Sequence, residues 1–152
     1  MPVDDTINKE WEGRVLRTLA EAERDKPSGD PKLSEYEAFD VEKEWSSHHA
    51  HFVHCTLAQT GSDYRRHFVA KYFVAREAQE PLYEILHRPE HLFPRELAIY
   101  HHIRTHVRAR FGREFARSLV PIIYGSSEQE RTIVMQWLDG SSKKKELLRH
   151  RG

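Results

Sequence analysis

Lys71 stands in the middle of the run Phe68-Val69-Ala70-Lys71-Tyr72-Phe73, and this run constrains the fold more than any other segment. It reads as a strand, and an ammonium in so apolar a strand loses costly hydration unless an anion or a phosphate meets it. Glu96, on a helix that follows the strand, is the partner the sequence offers. Alternate residues of a strand face alternate sides, so Val69, Lys71 and Phe73 share one face.

The rest of the chain supplies the elements around that strand. Ile7, Trp11, Val15, Leu16, Leu19 and Ala22 recur at helical spacing and predict an N-terminal amphipathic helix that caps the sheet. The stretch Asp25-Lys26-Pro27-Ser28-Gly29-Asp30-Pro31 breaks it and reads as a linker. From Tyr36 to Trp45 the pattern alternates with period two, and a second strand is expected over 51–57 and a third over 66–74. A short helix over 77–87 and a longer one from Pro94 to about Arg110 come next, with Gly112 as its cap. Along the longer helix, Glu96, Tyr100, Ile103 and Val107 fall at spacings of four, three and four, which sets them on the inward stripe. Residues 120–124 and 131–138 read as a closing hairpin around a loop at 125–130. The expected fold class is α+β: a five-stranded antiparallel sheet, one long packed helix and an N-terminal helical extension. Residues 1–30 form the extension and linker, 34–140 the main domain, and 141–152 a basic tail.

Composition removes several function classes. Lys and Arg number 24 and Asp and Glu 24, so no net charge draws the chain to nucleic acid or an anionic membrane. Cys55 is the single cysteine, so an intramolecular disulfide is impossible and a reducing compartment is compatible. No run approaches the length of apolar residues needed to span a bilayer, and the start of the chain lacks the pattern of a secretory signal. A cytoplasmic protein is the expectation.

Four stretches, in order, resemble the N-terminal lobe of the protein-kinase-like superfamily, and are most similar to its aminoglycoside phosphotransferase and choline kinase branch. Phe68-Val69-Ala70-Lys71 resembles the third-strand lysine motif, and Phe93-Pro94-Arg95-Glu96 the helix glutamate. Val120-Pro121-Ile122-Ile123-Tyr124-Gly125 is similar to the fourth strand, and Ile133-Val134-Met135-Gln136-Trp137-Leu138-Asp139-Gly140 to the fifth strand and interlobe hinge. The resemblance implies ATP as cofactor. Lys71 would hold its α- and β-phosphates and Glu96 would position the lysine. Val69 would wall the adenine, Met135 would guard the back of the pocket, and the main chain of Gln136 and Leu138 would meet the adenine edge. It also implies that Val53 contacts the base from above.

Two departures stand against a complete enzyme. The turn Ser46-Ser47-His48-His49-Ala50-His51 has no glycine where relatives cover phosphate. No catalytic-loop Asp with a downstream Asn follows, nor an Asp to hold magnesium, and 12 residues remain after Gly140. The chain thus reads as a truncated small lobe, inactive alone, with magnesium expected only if a second lobe were supplied. The alternative is a non-catalytic interaction domain whose exposed apolar cleft face takes a protein partner.

Other motifs carry bland readings beside sharp ones. Eleven histidines include His48, His49, His51 and His54 close together, and His102 with His106 four apart, patterns compatible with zinc but more commonly solvated. Arg104, Arg108, Arg110, Arg113 and Arg117 form a basic strip without interleaved aromatics on the same face, the pattern of a solvated helix. Cys55 lacks an activating base and reads as a structural thiol.

Overall fold

A computed structural model describes residues 5–47, 49–74, 88–119 and 121–138. Helix α1 (Asp5–Asp25) places Trp11, Val15 and Leu19 at four-residue intervals on one buried stripe. Asp5 in its first turn and Arg24 in its last complement the helix dipole. Strands β1 (Tyr36–Ser46), β2 (Ala50–Gln59) and β3 (Arg65–Phe73) form an antiparallel meander. Helices α2 (Pro89–Phe111) and α3 (Arg113–Leu119) follow, and the hairpin β4 (Ile123–Ser127) and β5 (Thr132–Gln136) closes the sheet in the order β1-β2-β3-β5-β4. The long crossover from β3 therefore brings β5, not β4, beside the lysine strand.

Helix α1 covers one face of the sheet, and α2 covers part of the other. Beneath α1, the side chains of Phe39, Val41, Val53, Cys55, Leu57, Phe68, Ala70 and Val134 join the helix stripe in one core. On the other face Phe73, Ile133 and Met135 pack with Phe93 of α2, flanked by Val69, Leu92, Leu97 and Tyr100. Gly125 is needed where α1 crosses β4, because a Cβ there would lie 3.1 Å from the Cβ of Ala22 and 3.2 Å from the Thr18 carbonyl oxygen. The linker is fastened too. Arg66 grips Asp30 through two bonds of 2.6 and 2.5 Å while its guanidinium lies 4.7 Å from the Tyr124 ring centre. That pairing holds the Asp30 carboxyl below the usual carboxylate range and raises the Arg66 guanidinium. Asn8 of α1 reaches the edge strand, accepting from the Val41 amide at 2.8 Å and donating to the Phe39 carbonyl at 3.5 Å.

Several boundaries differ from the sequence expectations. Helix α2 begins at Pro89, five residues before Pro94. Pro89 takes the first turn, where a missing N–H costs nothing, and Pro94 forfeits a bond only to the exposed Glu90 carbonyl. Ile103, expected inward, is 44% exposed, because the C-terminal half of α2 runs off the sheet. Gly112 ends α2 with φ 94°, yet α3 resumes at once, with the Ala116 amide bonded to the Gly112 carbonyl. The strand expected over 120–124 runs over Ile123–Ser127 instead, since Pro121 has no N–H for a ladder, and the register shifts between Ile123 and Gly125. The expected helix over 77–87 and the basic tail from 141 lie outside the described residues.

Candidate functional site

Lys71 is central in β3, opposite Phe52 of β2 and Ile133 of β5. Strand alternation sends Phe68 and Ala70 into the α1 core and Val69, Lys71 and Phe73 toward α2. There the Lys71 ammonium forms an ion pair with the Oε1 atom of Glu96 from the second turn of α2. The lysine side chain is 12% exposed and the glutamate 26%. One helical turn on, the Tyr100 hydroxyl donates to the same carboxylate oxygen at 3.3 Å. Burial, and then the Glu96 charge, push the Tyr100 hydroxyl up to about 12, so it stays protonated and keeps donating at neutral pH. The ring centres of Phe73 and Phe52 lie 4.9 and 5.1 Å from the ammonium. A cation is thus held by one carboxylate and two aromatic faces, neutralised yet still partly reached by solvent.

The other expected site residues group around this pair in part. Val69 sits two residues before Lys71 on the same face, and Met135 is its cross-strand partner on β5. Met135 is buried in the cluster under α2, beside Val69. Gln136 is engaged twice with the residue that precedes β4. Its amide donates to the Ile122 carbonyl at 2.8 Å, and its side-chain oxygen accepts from the Ile122 amide at 3.3 Å. Leu138 lies half-buried just beyond the end of β5. Val53 is not part of the group: it is fully buried in the α1 core, on the opposite face from Lys71. The β2 residues that do face the lysine side are Phe52 and His54, one residue to either side.

Phe52, His54 and Trp137 are the neighbours that sequence reasoning missed. Trp45 stacks on Phe52 with ring centres 5.5 Å apart, and Trp137 stacks on His54 at 3.9 Å. The register that pairs Trp45 with Phe52 follows a bulge between Val41 and Lys43, which has no signature in the alternation of β1. The turn from β1 to β2 is tight, because the Ser47 amide donates to the Ala50 carbonyl at 2.9 Å. That amide serves the hairpin.

A separate hollow of about 370 Å³ lies between the end of α1, the linker and β4, lined by Leu19, Asp30, His101 and Tyr124 among others. Lys71 and Glu96 do not line it. Among the described residues no three His, Cys, Asp or Glu side chains group closely enough to hold a metal ion, and no helix is long and apolar enough to cross a membrane. Cys55 is buried, and burial pushes its thiol up to about 12, the state of an inert structural cysteine.

No protein-family model matches the chain, and no curated protein or solved structure matches it either.

Proposed function

We propose that the chain is a kinase-like small lobe that binds ATP, with Lys71 as the phosphate ligand. The observation that carries this reading is the ion pair between a third-strand lysine and a glutamate of the following long helix. An ammonium already neutralised by a carboxylate, but not sealed from water, can be shared with an incoming phosphate at little desolvation cost. Val69 and Met135, adjacent on the same face, supply an apolar wall for a base. The main chain of Gln136 and Leu138 borders that wall. Phosphoryl transfer needs a base and a metal-holding carboxylate that the 152 residues do not contain in the family's pattern. The proposed role is therefore nucleotide binding, in a cytoplasmic setting, and not catalysis by this lobe alone.

Calorimetric titration with a non-hydrolysable ATP analogue tests the reading. The expected result is saturable binding by the wild type, weakened at least about tenfold in Lys71→Ala, the loss of one charge-assisted contact. Equal affinity in the two proteins would overturn it. Failure of both to bind would favour a second reading, a protein-interaction domain, which has its own support. Ile99 and Ile103, 48% and 44% exposed, extend an apolar stripe along α2 on the side that carries Glu96.

A further inference from the structure

We propose that His54 and His67 form a two-histidine site for a divalent transition-metal ion of the zinc, nickel or copper type. The proposal does not depend on the nucleotide reading, because its ligands are different residues, although His54 is the cross-strand partner of Val69. His54 of β2 and His67 of β3 are diagonal neighbours on the face opposite α1, and the Nε2 atom of the first lies 2.7 Å from the Nδ1 atom of the second. Two ring nitrogens so close must share one proton, with one ring donating and the other accepting. A metal ion in place of that proton is bound by both lone pairs once the rings part and tilt toward it. Metal–nitrogen bonds of about 2.0–2.1 Å at a tetrahedral angle separate two ligand nitrogens by about 3.3 Å, which is about 0.6 Å more than the present 2.7 Å.

The proton balance is simple. The donating ring shifts its proton to its other nitrogen, and if both rings start neutral no net proton is released. The surroundings favour this state. Burial, and then the neighbouring His67, hold the His54 imidazole below its usual range. Trp137 stacks flat on His54, 3.9 Å between ring centres and 2° between planes, and so fixes the ring orientation.

The charges on this face leave room for a cation. Glu42 of β1 accepts a bond from the Thr56 hydroxyl at 3.2 Å and favours positive charge at His54. Arg65 of β3 is occupied, donating to Thr56 at 3.0 Å and pairing with Asp40 at 2.6 Å. Lys43 pairs with His54 in the β1–β2 register, and its side chain is exposed to solvent. No third protein ligand joins the two histidines among the described residues, so water completes the coordination sphere. Imidazole pairs suit nickel, copper and zinc, in contrast to magnesium or calcium.

Nickel titration of the full chain carrying His102→Gln, which removes the exposed i, i+4 pair on α2, tests the site. The readout is tryptophan fluorescence, because Trp137 touches the ligand ring. Saturable quenching at one ion per chain, reversed by a chelator and reduced at least tenfold in apparent affinity by either His54→Gln or His67→Gln, is expected. His67 is exposed, so His67→Gln leaves the fold intact, as circular dichroism would confirm. Quenching that is absent, or that survives both substitutions unchanged, would overturn the proposal.

Discussion

The two faces of the sheet are built to different rules. Under α1 the core is continuous and apolar, running from Trp11 to Val134, and its charged groups stay at the margin, as Arg14 does with its guanidinium 3.8 Å from the Tyr72 ring centre. Under α2 the apolar cluster is small, and a lysine–glutamate pair interrupts it. The first face follows the rule that buried area stabilises. The second gives up apolar area to hold an ion pair in a defined place. Exposure follows the same division, since Ile99 and Ile103 of α2 reach solvent while Val15 and Leu19 of α1 do not.

Substitution should separate the two faces by size of effect. Phe68→Ala empties the centre of the α1 face, and its expected cost is about 3–5 kcal/mol, read from urea denaturation midpoints. A cost under about 1 kcal/mol would show that this face is loosely packed. Glu96→Ala should cost about 1–2 kcal/mol, below the ~3–5 kcal/mol of a fully buried pair, because water still reaches the pair. Measured at the same salt, a value equal to that for Phe68→Ala would erase the contrast.

The clasp between Asp30 and Arg66 gives a smaller, pH-dependent term. Folding favours the Asp30 carboxylate, so the folded protein takes up that proton less readily than the unfolded chain. The contribution is complete above about pH 4 and is lost as acid protonates the group. Asp30 is largely exposed, so solvent screening limits the term to about 0.5–1 kcal/mol. Asp30→Asn should therefore lower the urea midpoint at pH 7, with an effect that shrinks as acid protonates the Asp30 carboxylate of the wild type. At the bottom of the scale, Ile103→Gln should alter stability by less than about 0.5 kcal/mol. A larger loss in thermal melting would mean that α2 packs more tightly than its exposure indicates.

Where periodicity was strong, the sequence was legible. The four-residue spacing of Trp11, Val15 and Leu19 identified α1 and its buried stripe, and the alternation of Val69, Lys71 and Phe73 identified the face that meets Glu96. Boundaries set by single residues were harder to see. Pro94 reads as a helix start because proline suits a first turn, yet Pro89 takes that place and both residues fit within one helix. Val53 was misplaced because β2 pairs it with Ala70 and pairs Phe52 with Lys71, and hydrophobicity cannot distinguish Val53 from Phe52. The stack of Trp137 on His54 spans three strands, so no local pattern announces it. The clasp of Arg66 on Asp30 joins a strand to a linker 36 positions away, and composition marks that linker only as a break.

Asn8 has a role larger than its size. An outer strand normally presents a row of unpaired peptide groups that a second molecule can zip onto. By occupying the Val41 amide and the Phe39 carbonyl, one carboxamide from α1 plugs the middle of that rim. The helix that seals the core thereby also guards the sheet against templated association, and loosening it would endanger solubility as much as stability.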